Sequence, residues 1–316
     1  MSMFENKKVL ITGAAGICGQ SAVRRFIEKE NSKVRATVFN TRTLNYEHPN
    51  LEVVKADLRL YEDCKRVVEG VDVVLNFAAY IRGAKGQGDS KVDLVRNNVV
   101  PGINMIDASV NAGVEYYGFI GSSTAYPEDD HPMREEELFD GDVFHLYRGV
   151  GWMKRYQQKV IEYFQEITDT KFGIVVPMAI YGPRDNFNEH GHVIPQLIMK
   201  ASEGMNPFEV WGDGTQVRTF IHVDDLIDSL IYVLETDPTA TPYNVGTGVS
   251  TTITELVEEI TDIYGYTPEF NYDTTKPVMI PKREIDISKV TKLGWKAKYD
   301  LRSGLEETIN WYENNK

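Results

Sequence analysis

Apolar positions along this chain change their period at regular intervals, and the changes mark out its elements. Short β-branched runs, "KKVLITG", "KVRATVFN", "LEVVKADL", "DVVLNFAAY", "EYYGFIGSS" and "KFGIVVPM", read as buried strands. Stretches with helical spacing lie between most of them: "GQSAVRRFIEKEN", which puts Ala22, Phe26 and Ile27 on one side, "EDCKRVVEGV", "NNVVPGINMIDASVNAGV" and "GWMKRYQQKVIEYFQEIT". Pro101 has no N–H to give, so it is expected in the first turn of its helix. Strands alternating with helices predict an α/β fold built on a doubly wound parallel sheet.

After Pro177 the pattern loosens. "AIYGPRDNFNEHGHVIP" reads as a polar loop, "VIPQLIMKASEG" and "DDLIDSLIYVLE" as helices, and "YNVGTG" as a short strand. "TITELVEEITDIYG" opens with Thr252 as N-cap and Glu255 three residues on, a capping box. The expected division is a sheet domain over 1–178, with 222–246 packing back on it, and a smaller interleaved α+β lobe from 179–221 and 247–316.

The 316 residues suit one large domain with a smaller lobe. A net charge of −13 argues against nucleic acid as a partner, because phosphate-backbone binding rests on a basic surface. It leaves room for a small anionic ligand, since local amides and a few arginines outweigh the global sign. Two cysteines, Cys18 and Cys64, make no disulfide framework and fit a reducing cytoplasm. No apolar run approaches ~18 residues, so no membrane span is expected.

Chemistry enters at "TGAAGICG". Gly13, Gly16 and Gly19 fall between the first strand and the first helix, which Ile17 opens. The first glycine permits a tight turn, the second lets the backbone approach a pyrophosphate, and the third lets helix and strand pack closely. This spacing resembles that of the short-chain dehydrogenase/reductase superfamily, and later motifs resemble its extended branch, which acts on nucleotide sugars. The resemblance covers essentially the whole chain. It implies a Rossmann domain holding a nicotinamide cofactor and a lobe holding a nucleotide sugar. In that frame Asp57 and Leu58 of "ADL" hold the adenine. Phe77, Ala78 and Ala79 of "NFAA" lie beside the ribose and phosphates, and Asn98 is the structural asparagine of the mid-chain helix. No acid follows the second strand, where an NAD enzyme bonds the ribose 2′-hydroxyl. Arg42 or Arg35 stands available for a 2′-phosphate, which favours NADP over NAD.

The family's active site has a serine after the fifth strand and a tyrosine four residues before a lysine on the next helix. The tyrosine moves a proton, the serine orients the reacting oxygen, and the lysine also holds the nicotinamide ribose. The matching serine is Ser122, with Ser123 beside it as a substrate contact, and the matching lysine is Lys154. The tyrosine position is Val150, which can neither donate nor accept a proton. Tyr147, Thr124 or a water is left as the substitute, or the chain binds its ligands without redox chemistry.

The middle third is similar to the GDP-L-fucose synthase group, through "GSSTAYP", "YGPRDNF", "GHVIP" and "VWGDGTQVRTFIHVDD". That group epimerises with a cysteine and a histidine. His192 matches the histidine, followed by Val193 as a sugar contact, while Thr124 stands where the cysteine would be. The resemblance further implies Asn186, Trp211, Arg218 and Arg283 around the nucleotide, with the arginines on the pyrophosphate. A GDP-sugar is favoured and no metal is expected. Two functions stay open: a nucleotide-sugar epimerase or reductase, and a redox-silent protein that binds a dinucleotide or nucleotide sugar. A homodimer through the two long helices, with Met105, Val160 and Phe164 at the contact, is the expected assembly.

Overall fold

The computed structural model of the protein describes residues 3–40, 42–80, 91–189, 191–276 and 278–316. In chain order the sheet domain contributes β1 (Lys8–Thr12), α1 (Ile17–Glu28), β2 (Lys33–Val38), β3 (Leu51–Lys55), α2 (Tyr61–Val68), β4 (Val73–Asn76), α3 (Lys91–Asn111), β5 (Tyr116–Ile120), α4 (Arg148–Ile167) and β6 (Lys171–Pro177). There follow β7 (Ala179–Tyr181), α5 (Val193–Ser202), β8 (Phe208–Trp211), β9 (Val217–His222), α6 (Val223–Thr236) and β10 (Thr239–Val245). The chain ends with β11 (Ser250–Thr252), α7 (Ile253–Ile263), β12 (Phe270–Asp273), β13 (Lys282–Arg283), α8 (Ser288–Leu293) and α9 (Leu301–Glu313).

Seven of these strands form one sheet in the order β10-β6-β5-β4-β1-β2-β3, every pair parallel. β-Branched and aliphatic residues fill the central strands on both faces, so each face needs a helical cover. On one side Phe26 and Ile27 of α1 and Leu226, Leu230 and Leu234 of α6 share a core with β1 and β4. On the other, Val67 of α2, Met105 and Ile106 of α3 and Ile161 of α4 pack on Leu10, Tyr117 and Phe172. The fold is thus a doubly wound Rossmann sheet. Its seventh strand is longer than "YNVGTG" because β10 pairs with β6 from Thr239 onward, past a register shift.

The lobe has its own core, in which Leu197 and Ile198 of α5 meet Phe208, Val210, Leu256, Val257 and Leu305. Its strands β7, β11 and β13 all pair with β9, and β12 pairs with β8. The stretch read as a continuous polar loop after Pro177 therefore begins as a strand, since Ala179–Tyr181 bonds to Phe220–His222. The capping box forms as expected: Thr252 Oγ1 accepts from Glu255 N at 3.1 Å and Glu255 Oε2 accepts from Thr252 N at 2.8 Å.

Pro101 departs from expectation. It lies in the interior of α3, because the helix already begins at Lys91. Its ring removes the N–H that Asn97 O would accept. On the adjacent carbonyl, Asn98 O, Gln157 of α4 donates through Nε2 at 2.9 Å, so a neighbouring helix supports the interrupted turn.

The residues expected at a dimer contact face inward. Met105 is fully buried, and Val160 and Phe164 pack on the same core beneath the sheet. The outward face of α4 instead carries Trp152, Tyr156, Tyr163 and Ile167, each 50–57% exposed. At 3.6 residues per turn these four fall within an arc of about 60°.

Candidate active site

The chain leaves β1 toward β2 on one side, while β4 lies on the other, so the carboxyl end of β1 opens at the switch point of the sheet. Gly13 sits there with φ 61°, in the left-handed region. A Cβ on it would lie 2.7 Å from Phe77 O and 2.9 Å from Ala78 N, and one on Gly19 would collide with Gly13 O. Thr12 fixes the facing loop: its hydroxyl donates to Asn76 Oδ1 at 2.6 Å and accepts from Phe77 N and Ala78 N at 3.1 Å each. Gly16 caps α1 with no side chain, so the first-turn amides next to Ile17 have no side-chain partner from the cap. A bare backbone, a tight turn and a helix N-terminus together fit the pyrophosphate of a dinucleotide.

On the adenosine side the expected residues divide. Asp57 is locked to Arg59, with oxygen–nitrogen distances of 2.6 to 3.2 Å, and the Arg59 guanidinium lies 5.2 Å from the ring of exposed Phe39. Arg59 holds the Asp57 carboxyl below the usual range. Arg42 is exposed beside them. Arg35 is excluded from a 2′-phosphate role, because it pairs with Glu52 at 2.9 Å and donates to Val67 O and Glu69 O. Leu58 is buried in the core, so its side chain serves packing. The arginine and aromatic at 59 and 39 escape a motif search because they are apart in sequence and meet only across neighbouring strand ends.

A cavity of about 670 Å³ runs from the carboxyl ends of β4 and β5 into the lobe. Phe77, Ala78, Ala79 and Asn98 line its cofactor side. Asn98 does so as a clamp: Oδ1 accepts from Tyr80 N at 2.8 Å, and Nδ2 donates to Tyr80 O and Leu94 O. Ser122, Ser123, Thr124, Val150 and Lys154 meet at its centre. Ser122 and Thr124 hydroxyls lie 2.8 Å apart, and Ser122 Oγ also accepts from Thr124 N at 3.2 Å. Helix α4 reaches this pair because Gly151 has no Cβ; one there would lie 2.5 Å from Thr124 O. Val150 and Lys154, one turn apart on α4, therefore both face the cavity. Lys154 donates to Ile120 O at 2.7 Å, and burial pushes its ammonium down to about 8. Burial likewise pushes the Cys18 thiol up to about 12, so that cysteine stays protonated and inert at neutral pH.

Tyr147 lines the same cavity. Its partners are the Ile280 backbone and the guanidiniums of Arg218 and Arg283, the latter 6.0 Å from its ring. Its ring thus stands beside the arginines on the wall of that cavity. Arg218 and Arg283 face each other in the register of β9 and β13. Arg218 donates to Val217 O, Ile280 O and Pro281 O, and Arg283 to Pro127 O at 2.7 Å. Arg283 is 4% exposed, yet its Nε and Nη2 have no hydrogen-bond partner among the described residues. Two buried cationic donors without acceptors are costly unless an anion completes them.

Trp211, His192 and Val193 also line the cavity. His192 is the N-cap residue of α5 but makes no side-chain cap bond, which leaves its ring at the cavity wall. Asn186 does not reach the cavity. Its turn folds back so that its side-chain oxygen accepts from Asn188 Nδ2 at 2.6 Å, and the residue is exposed.

Comparison with known proteins gives one consistent result. The model of a family described as the NAD dependent epimerase/dehydratase family matches residues 9–246. GDP-L-fucose synthase of Escherichia coli (strain K12) is 31% identical over 324 residues, spanning 98% of this chain and 97% of that protein. Among solved structures, a GDP-mannoheptose C4 reductase from Campylobacter jejuni with NADP bound gives a TM-score of 0.83 at 25% identity, covering 98% of each chain. A UDP-N-acetylglucosamine 4-epimerase from Methanobrevibacter ruminantium shares the fold, with a TM-score of 0.87 at 24% identity over 99% of this chain and 100% of that one.

Proposed function

This chain belongs to the NAD dependent epimerase/dehydratase family, and from that premise we propose that it is a nicotinamide-dependent epimerase or reductase of nucleotide sugars, acting on a GDP-linked 4-keto or 4-hydroxy sugar. One observation carries the reading. Arg283, with Arg218 beside it in register, presents unpaired buried donors at the same cavity that Ser122 and Lys154 line, as suits a nucleotide diphosphate held next to a reacting sugar. The relatives named for GDP-sugar chemistry support the base and the sugar class.

The glycine turn fits a nicotinamide dinucleotide, and Arg42 with Arg59 favours NADP over NAD. When bound, that group supplies the hydride equivalent of a reduction. The chain's own residues do the rest. Lys154 holds the ribose side and a positive charge, Ser122 bonds the reacting sugar oxygen, and the Thr124 hydroxyl behind Ser122 exchanges a proton with it. His192 is placed to move a proton at an enolisable carbon.

The test uses the full chain with NADPH and a GDP-4-keto-6-deoxy sugar in deuterated water. NADPH oxidation followed by absorbance, or deuterium entering the sugar by mass spectrometry, is the expected result. Binding without either change would remove the catalytic reading. A second reading then gains: a redox-silent binder of the same ligands, which the apolar Val150 at the family's acid position favours. The exposed aromatic face of α4 is the proposed homodimer contact. Among the described residues no helix is long and apolar enough to cross a membrane; the free cysteines support a cytoplasmic location.

A further inference from the structure

Lys154 lines the cavity, and the residue after it on α4 is a second cation, Arg155, which is 3% exposed. A helix turns about 100° per residue, so the two side chains leave it in different directions. A guanidinium cannot discharge itself by losing a proton, so a buried one needs acceptors. Arg155 finds them in main chain. Its Nε donates to Ala125 O at 2.7 Å, Nη1 to Gly141 O at 2.8 Å and Nη2 to Asp140 O at 3.1 Å. The exposed ring of Trp152 lies 5.0 Å from the same guanidinium. With backbone carbonyls as its acceptors, the side chain fixes where two segments of chain lie.

The first segment is the turn that carries the reacting hydroxyls. Ser123–Ala125 form a single 3₁₀ turn capped by Ser122. Within it Ala125 N donates to Ser122 O at 3.0 Å, and the Ser122 and Thr124 hydroxyls meet at 2.8 Å. A pull on Ala125 O therefore moves both hydroxyls. The second segment folds over that turn, since Val143 bridges Pro127 just beyond Asp140 and Gly141. Gly151 and Arg155 stand one turn apart on α4 and seat the turn together. Gly151 lets Thr124 O approach, because a Cβ there would lie 2.5 Å away, and Arg155 bonds the next carbonyl. One rigid fork thus joins the helix of Val150 and Lys154, the turn of Ser122 and Thr124, and the segment over them.

We propose that Arg155 is a positioning residue for proton transfer: by bridging Ala125 O to the carbonyls of Asp140 and Gly141, it aligns the Ser122 and Thr124 hydroxyls with Lys154 and the reacting sugar oxygen. This role rests on the nucleotide-sugar reading above and adds the residue that sets its geometry from outside the cavity.

Steady-state rates of the full chain with NADPH and a GDP-4-keto-6-deoxy sugar, in water and in deuterated water, test it beside a melting curve of each variant. Arg155→Met should lower kcat by about ten- to a hundred-fold with KM little changed, since displacing a reacting group by about 1 Å is worth that much. Its kcat should also drop further than the native chain's in deuterated water, because proton transfer through misaligned hydroxyls becomes the slow step. Arg155→Lys should lie between the two, as an ammonium lacks the fork that holds both segments at once. A merely structural arginine would lower the folded fraction and leave the ratio of rates in the two solvents unmoved. Native kcat in Arg155→Met, or a loss with the native solvent ratio, overturns the role while leaving the nucleotide-sugar reading standing. Should Arg155→Met show no melting transition, the same two outcomes in Arg155→Lys decide it. If the native chain turns the sugar over in neither solvent, both fall.

Discussion

Arg218 of β9 and Arg283 of β13 are partners in the parallel register, so two guanidinium stems leave one face of the lobe sheet side by side. Like charges so placed repel. Backbone carbonyls absorb most of the donors of Arg218, but among the described residues Arg283 keeps two without a partner. An anion between them relieves both costs, which is why this pair, rather than any single motif, anchors the functional reading.

Removal of Arg283 tests that relationship. Arg283→Ala should weaken a nucleoside diphosphate by about ten- to a hundred-fold, the worth of charge-assisted bonds. Because it also removes a buried unsatisfied cation, the unliganded chain should lose little thermal stability. Calorimetry and a melting curve on the same sample check both halves.

Val150 predicts a gain of function. It faces the cavity one turn before Lys154, where a tyrosine hydroxyl would stand near Ser122. Val150→Tyr should raise kcat for NADPH-linked reduction by about a hundred- to ten-thousand-fold, the usual range of a positioned acid, with little change in KM. Steady-state kinetics on the native chain and the variant decide it. A fall in kcat would mean that the existing hydroxyls already do the work.

Thr124 predicts the complementary loss. Its hydroxyl sits 2.8 Å from that of Ser122. Thr124→Val should lower kcat about tenfold or more without moving KM, and Thr124→Ser should restore it. Gly151→Ala should lower kcat as well, by pushing α4 away from Thr124 O, and should cost about 1–3 kcal/mol in a denaturant titration.

Lys154 gives a pH prediction. Burial lowers its folded value to about 8, below the ~10.4 of an unfolded lysine. The unfolded chain therefore binds more protons between those values, and stability rises with pH across that window; below about 8 both states are charged and the penalty of burying the ammonium is fully felt. Dinucleotide affinity runs the other way, because the held charge is lost above about 8. Fluorescence titration of NADPH from pH 6.5 to 9.5 should show this fall, and Lys154→Met should abolish it.

The exposed stripe of α4 gives a last prediction. Tyr156→Glu with Tyr163→Glu should convert a dimer to monomers in light scattering after size exclusion, since a charge in an aromatic contact must be desolvated.

Much was legible in the sequence because it depends on near neighbours. Strand runs, helix spacing, the capping box at Thr252, the glycine turn and the spacing of Val150 to Lys154 are all set by residues a few positions apart. Their periodicity, local sterics and local hydrogen bonds are readable from neighbouring residues alone. What the sequence left unsettled depends on residues brought together from afar. The support of α3 at Pro101 comes from Gln157, the exclusion of Arg35 from Glu52, and the grouping of Tyr147 with the arginines from β9 and β13. Lys200 and Glu209 carried no motif, since a lysine on a helix and a glutamate on a strand become an ion pair only when the lobe packs them together. The fold was written in periodicity, which is local; the identity of the ligand rests on which polar groups are left unpaired after packing, and only the tertiary structure decides that.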